Sequence, residues 1–277
     1  MGVLIWWLVG RALRPVQAMS ERVNAITTTS LDQRVPVPSG NDEISGLATV
    51  MNGMLQRLER GDSRQRQFAA DASHELRSPL ATMRTAAEMI ERNPTSGRAP
   101  TLASDIVAEA DRMDALISDL LSLSRVDEEL AAHNHRLVDL SALADGFVSA
   151  QRLIAPGLRV MGDVDQLQRA VENLINNAHR HAATQVAISL RTVHHHDTAY
   201  AELCVEDDGD GVPADQRRSI FERFRRLDEA RTRDQGGAGL GLALVHAIVT
   251  RHRGAIAVDD SPTLTGARFT MHIPLAE

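Results

Sequence analysis

Apolar positions recur at helical spacing through the first half of the chain and at strand spacing in much of the second. Val16, Met19, Val23 and Ile26 step by three, four and three, and Ile44, Leu47, Met51, Met54 and Leu58 by three, four, three and four. Each set draws one stripe on a helix, with the period of a coiled coil. Between them TTSLDQRVPVPSGND carries Pro36, Pro38 and Gly40, which break helix, and Asn41 or Asp42 can cap the second helix. Two such helices cannot bury their seams alone, so a parallel dimer is expected. Leu76, Leu80, Met83, Ala87 and Ile90 mark a third helix ending near Asn93-Pro94. After the turn-rich NPTSGRAP, Ile106, Ala110, Met113, Ile117 and Leu120 mark a fourth. Residues 62–130 are thus expected to form a helical hairpin, and two hairpins close a four-helix bundle.

From about Val138 the pattern changes. QVAISLRTV and AELCVED read as strands, with HHHD between them as a hairpin turn. His194, His195 and His196, like His133 and His135, read as solvated turn residues rather than metal ligands. DVDQLQRAVENLINNAHRH reads as a helix in which Asp163 and Gln166 resemble a capping box. Its buried face is Leu167, Ala170, Val171, Leu174 and Ile175. A closing strand runs from Gly266 to Pro274. Mixed helices and strands mark a separate α+β domain.

Composition adds three constraints. Aromatics are only 3% of the 277 residues, so both halves must build cores from Leu, Val, Ile, Ala and Met. A formal charge of −7 argues against bulk nucleic-acid binding. The single cysteine, Cys204, cannot form an internal disulfide and is expected buried on its strand. At the start, Gly2 to Val9 are apolar, with Arg11 and Arg14 following. About 20 such residues span a bilayer. The preferred reading is the cytoplasmic end of a membrane helix, with paired tryptophans at the interface. A short hydrophobic N-terminus is the alternative. A signal peptide fits poorly, because its charges should precede the apolar run.

Four stretches carry candidate chemistry. His74 lies two residues before Leu76, a rotation of about 200°, so it points away from the seam. Glu75 is beside it and Ser78 one turn on. An imidazole displayed beside a carboxylate is a candidate for chemistry on the ring nitrogen, although on this stretch alone an idle surface histidine is the commoner case. Asn173 and Asn177, one turn apart, can hold hydrated Mg²⁺ and phosphate oxygens without adding a repelling carboxylate. Arg180, a turn further, is a natural phosphate contact. Asp207, Gly209 and Gly211 form DxGxG after a strand. That carboxylate can accept from an exocyclic amine such as adenine's, and the glycines let backbone pass close to a flat base. Gly236 to Gly241 open directly into the apolar helix LALVHAIVTRH, which makes an anion site. Each of the last three also occurs as plain surface or turn.

Their order is more specific than any one of them. HELRSPL resembles the H box of sensor histidine kinases, ENLINNA the N box, DDGDG the first G box, FERF (Phe221 to Phe224) the F box and GGAGLGL the second G box. Upstream, Pro15 and Glu43 in DEIS resemble the markers of a HAMP linker. The resemblance covers about residues 11–275. It implies helical dimeric segments followed by an α+β two-layer sandwich of the Bergerat or GHKL type. The domains implied are the end of a transmembrane helix over 1–10, the HAMP linker over 11–61, a dimerisation and histidine phosphotransfer domain over 62–131 and an ATP-binding domain over 132–277.

The resemblance also implies roles. His74 accepts the γ-phosphoryl group of ATP, Glu75 orients the ring or takes its proton, and Ser78 supports phosphatase activity. An ordinary imidazole, with a pKa of about 6.5, is largely unprotonated and nucleophilic at neutral pH. Asn173, Asn177, Arg180, His181, Asp207, Gly209, Gly211, Gly237, Gly239, Leu240 and Gly241 hold Mg²⁺-ATP, with Asn177 at the metal. The partners implied are a second copy of the chain, the receiver domain of a response regulator and the bacterial inner membrane, the catalytic domains lying in the cytoplasm. Related ATPases of the same fold carry a glutamate where this chain has Asn173, which favours a kinase over a DNA-acting or chaperone ATPase. One departure stands out. Only LIAPGLRVM separates Gln151-Arg152 from Gly162-Asp163, which suggests that a strand is missing and keeps open a catalytically weak pseudokinase or scaffold.

Overall fold

The structure is a computed structural model that describes residues 2, 6–7, 19–20, 22, 31–38, 43–128, 135–146, 151–195, 198–225 and 239–276. It divides into two compact units, residues 1–74 and 75–277. Most of the proposed membrane-helix end, Pro15, Val16, Val23 and Ile26 lie outside the described residues. Among those described, no helix is long and apolar enough to cross a membrane.

Helix α1, Glu43–Arg92, starts in the first unit and continues into the second. Glu43 stands in its first turn, where a carboxylate meets the positive end of the helix dipole. In the first unit, Ile44, Ala48, Met51 and Leu55 turn inward with Met19 and Val35. Asn52 pins the connector on both sides. Its Oδ1 accepts from the Val35 N–H at 2.8 Å and its Nδ2 donates to the Val35 carbonyl at 2.9 Å. Arg34 pairs with Glu59 and donates to the Leu31 carbonyl at 2.8 Å. The expected seam is therefore split. Ile44 and Met51 face the chain's own core, whereas Leu47, Met54 and Leu58 are exposed. One connector covers one stripe of a helix, and the neighbouring stripe stays outside.

The hairpin in the second unit divides the same way. It is completed by α2, Ala99–Glu128. Leu76, Met83, Ala86 and Ile90 form the shielded stripe of α1, and Leu102, Ile106, Met113, Leu116, Leu120 and Leu123 that of α2. Leu80, Ala87, Ala110 and Ile117, expected on those seams, are exposed. Pro79 sits inside α1 and lacks the N–H that would pair with the Glu75 carbonyl.

The remaining elements, in chain order, are β1 (Arg136–Asp139), α3 (Leu140–Asp145), β2 (Gln151–Ile154), β3 (Arg159–Gly162), α4 (Val164–His181), β4 (Val186–His195), β5 (Thr198–Asp207), a 3-10 turn (Ser219–Phe221), α5 (Gly241–Arg251), β6 (Ala255–Asp260) and β7 (Ala267–Pro274). Five strands form one sheet in the order β2-β4-β5-β7-β6, and β1 pairs with β3 in a second. Alternation along the strands makes two faces. Ile188, Leu190, Leu203, Val205, Phe269, Met271 and Ile273 turn to one core with the buried faces of α4 and α5. The opposite face is polar. There Glu202 accepts from Arg191 at 2.6 Å and stands 2.8 Å from His272. Burial raises the Glu202 pKa, but the His272 and Arg191 hydrogen bonds outweigh it and hold it below the ordinary value. Cys204 lies buried between these groups, as expected of a strand cysteine.

Three sequence expectations are corrected. No strand is missing before α4. Residues 151–162 hold both β2 and β3, four residues each, with Gly157 at φ +73° in the turn between them. β2 runs parallel to β4 at the sheet edge and β3 pairs antiparallel with β1. β3 is held on its other side by an antiparallel bridge from Val160 to Leu275 and by the Ala276 N–H, which donates to the Arg159 carbonyl at 2.9 Å. The pseudokinase reading loses its basis. Next, His194 and His195 belong to β4 rather than to a turn. β4 extends through His195, whose ring meets Tyr200 and His272 at 5.7 and 5.4 Å between centroids. Last, His135 stacks on His252 at 5.2 Å instead of facing solvent; His133 and His196 lie outside the described residues.

His252 also corrects the capping box. Asp163 does cap α4, accepting from the Asp165 and Gln166 N–H groups. The reciprocal bond to the Asp163 N–H comes from His252 Nε2 at 3.1 Å, not from Gln166. His252 Nδ1 lies 2.7 Å from the Ile248 carbonyl, so the ring satisfies both contacts only when neutral. Burial pushes its pKa down, more than the Ile248 carbonyl pulls it up. The unfolded chain therefore takes the proton first, and stability falls as pH drops below about 6.5. Denaturation midpoints at about pH 7.5 and 5.5 should show this loss, and His252→Gln should shrink it. An equal loss in that variant would place the acid sensitivity elsewhere.

Candidate active site

Helix α4 is the wall common to the candidate groups. Its apolar face is buried in the core, which leaves Asn173 and Asn177 half-buried on one side and Arg180 exposed. Asn173 Nδ2 donates to the Arg169 carbonyl at 3.0 Å, one turn back. That bond directs Oδ1 outward, against the start of α5. A Cβ added at Gly241 would lie 2.6 Å from Asn173 Oδ1, so only glycine lets the two elements meet this closely. The first turn of α5 carries unpaired N–H groups and the positive end of its dipole. Leu240, 1% exposed, anchors that turn in the core.

Gly239, at φ +69°, joins this turn to the segment after the 3-10 helix. Its carbonyl accepts from the Phe224 N–H at 3.0 Å. Phe224 itself is left-handed, at φ +59°, a costly conformation for an aromatic residue. Phe221 packs against His246 and edge-on to Phe269. The two ends that flank residues 226–238 are thereby clasped together. Gly237, a candidate phosphate contact, lies outside the described residues.

At the other end of α4 lies Asp207, the last residue of β5 and 1% exposed. Its Oδ1 accepts from the Gly209 N–H at 3.0 Å and the Ala267 N–H at 3.2 Å. Its Oδ2 is buried with no partner among the described residues. Burying an acceptor unpaired is expensive, so this oxygen can take a further donor. Gly209 passes so near the end of α4 that an added Cβ would lie 2.2 Å from the His181 carbonyl. Gly211 follows at φ +73°. The His181 imidazole is held below its ordinary pKa by shielding from water and by Arg180, against the pull of Asp207 and Asp210.

Two contributors were missed from the sequence. Gly266 lies so near that an added Cβ would be 2.4 Å from Asp207 Oδ1, and the next residue, Ala267, supplies one of the donors above. The turn LTGA before the last strand was the available signal. Arg169 was missed as well. It reaches from α4 to α2, donating to the Ser118 carbonyl at 3.1 Å and to Ser118 Oγ at 2.9 Å. Beside it, burial raises the Asp119 pKa against the fields of Arg169 and Arg180.

His74, Glu75 and Ser78 lie on α1 as the rotation argument placed them. His74 and Ser78 are exposed and Glu75 is half-buried. A displayed imidazole thus occurs in one chain with an amide-lined helix wall, a glycine-bounded helix N-terminus and an orphaned buried carboxylate oxygen. Three family models match in the same order: HAMP domain over residues 7–60, His Kinase A (phospho-acceptor) domain over 64–129, and histidine kinase-, DNA gyrase B-, and HSP90-like ATPase over 162–277. The chain belongs to the sensor histidine kinases.

Among relatives of this sensor kinase chain, the signal transduction histidine-protein kinase/phosphatase MprB of Mycolicibacterium smegmatis is 34% identical over 270 residues, covering 91% of this chain and 54% of that protein. The sensor histidine kinase CpxA of Escherichia coli is 31% identical over 284 residues, covering 98% of this chain and 60% of that one. The chain therefore spans somewhat over half the length of these relatives. The histidine kinase AdeS of Acinetobacter baumannii shares the fold, with a TM-score of 0.56 at 20% identity over 74% of this chain and 98% of that one.

Proposed function

We propose that the chain is an ATP-dependent protein-histidine kinase that phosphorylates itself on His74 and passes the phosphoryl group to an aspartate on a response-regulator receiver domain. The observation that carries this reading is the buried, unpartnered Oδ2 of Asp207. It suits the exocyclic amine of adenine, because an amine can donate and a buried carboxylate oxygen must accept. The Gly241 turn of α5 and Arg180 suit the phosphates, and His181, Gly209 and Gly211 border the base. Asn173 and Asn177 present neutral amide oxygens, which fit a hydrated Mg²⁺ with Asn177 nearest the ion. Bound Mg²⁺ supplies neutralisation of phosphate charge. The chain's own residues position the γ-phosphoryl group and exclude water, which is most of what phosphoryl transfer requires. Glu75 orients the His74 ring or accepts its proton.

The exposed stripes Leu47, Met54 and Leu58 of the first unit, and Leu80 and Ile117 of the hairpin, support a homodimer. Membrane attachment ahead of residue 11, at a bacterial inner membrane, belongs to the same reading. Ser78 keeps a hydroxyl one turn after His74, and the MprB relative carries "kinase/phosphatase" in its name. Ser78 is proposed to assist dephosphorylation of the partner receiver domain. Ser78→Ala should slow that reaction while leaving label incorporation intact, and full dephosphorylation by the variant would remove Ser78 from the role. The kinase reading itself is tested by acid-labile label from γ-labelled ATP and Mg²⁺.

A further inference from the structure

Glu206 and Asp207 end β5 as consecutive carboxylates, and strand alternation turns them to opposite faces of the sheet. Glu206 faces the polar side and is only 8% exposed. A carboxylate buried that far is costly unless it is hydrogen-bonded. Its Oε2 accepts from two hydroxyls of the turn that follows β6, from Ser261 Oγ and from Thr263 Oγ1, the latter at 2.7 Å. Arg268 Nε lies 3.9 Å from its Oε1. Ser261 Oγ itself accepts from the Thr263 N–H at 3.3 Å and the Leu264 N–H at 2.8 Å. A hydroxyl has two lone pairs and one hydrogen. With both lone pairs taken inside the turn, the hydrogen goes to Glu206. The Ser261 N–H closes the turn by donating to the Gly266 carbonyl at 2.9 Å.

The far end of this turn meets Asp207. The Gly266 N–H donates to the Asp207 carbonyl at 3.2 Å, and the Ala267 N–H to Asp207 Oδ1, also at 3.2 Å. The turn therefore bridges two adjacent carboxylates, one end on the Glu206 side chain and the other on Asp207. The outermost torsion of an aspartate is soft, so its two oxygens keep their places only where donors hold them. Gly209 and Ala267 are the donors that hold Oδ1. We infer that Glu206 is a positioning residue for nucleotide recognition: through the turn over residues 261–266 it keeps the Ala267 N–H on Asp207 Oδ1, so that Oδ2 stays aimed at the base. This rests on the reading of Asp207 above.

The test is calorimetry on the full chain with adenosine and inosine triphosphates. Wild type should prefer the adenine nucleotide. Glu206→Ala should lose about tenfold in affinity for it and little for the inosine nucleotide, so the preference shrinks. Glu206→Gln keeps an acceptor for the two hydroxyls and should keep most of the preference. A general loss of stability would weaken both nucleotides by the same factor. Should Glu206→Ala fail to fold, Ser261→Ala removes the hydroxyl at the other end of the bond and is read in the same way. A wild-type preference that survives in these variants overturns the role of Glu206 alone. Equal affinity of wild type for both nucleotides overturns the reading of Asp207, and this inference with it.

Discussion

His74→Gln should take up no acid-labile label from γ-labelled ATP, a loss of more than about a thousand-fold, while nucleotide binding is unchanged. Glutamine offers no nucleophilic ring nitrogen, and no neighbouring group can replace one. The fold should not suffer. His74 is exposed on the helix, and surface substitutions of this kind change stability by no more than about 0.5 kcal/mol. Glutamine is also a good helix former. Gel autoradiography before and after acid treatment, beside a nucleotide-binding titration, separates the two effects. Label persisting in the variant would place the phosphoacceptor on another residue.

Asp207→Asn should weaken ATP binding about a hundred-fold without unfolding the domain. The side chain has two tasks, and the substitution divides them. The amide oxygen can still accept from the Gly209 and Ala267 N–H groups, which hold the end of β5 to the start of β7. The amide nitrogen then replaces the orphaned Oδ2, so a donor faces the donor amine of adenine. Losing a hydrogen bond to a charged partner and leaving donors unpaired costs about 3 kcal/mol, which is two factors of ten in affinity. Inosine triphosphate, with a carbonyl where adenosine triphosphate has its amine, should lose less affinity or gain some. Calorimetry with both nucleotides reads the change. Equal affinity of wild type and variant for ATP would refute the role of Asp207.

The two residues differ in how far the chain alone could locate them. His74 was located by counting two residues back from Leu76, because helix rotation depends only on spacing. The inward faces of α4 and α5 were legible for the same reason. The seams of α1 and α2 were legible only as apolar positions. Whether Leu80 or Ala86 turns inward depends on which neighbour arrives, and Ala86 is the one that is buried. Short strands were harder. β2 and β3 are four residues each, QRLI and RVMG, too short to show a polar–apolar period in the sequence, so a segment holding two strands looked one strand short.

The sequence by itself determined the order of the motifs, the helices that display His74 and the two asparagines, and the strand that ends in Asp207. All of these follow from interactions within a few residues, which periodicity, capping and turn residues record. The tertiary structure alone decided which groups complete them. Asp163 and His252 meet across 89 positions, Ala267 reaches Asp207 across 60, and Arg169 reaches Ser118 across 51. Contacts at that separation leave no local pattern in the chain, because each partner is an ordinary residue until folding brings it to the other. The orphaned oxygen of Asp207 is of this kind. Only burial by the assembled sheet, the Gly266 turn and the end of α4 makes it an acceptor that can take a further donor.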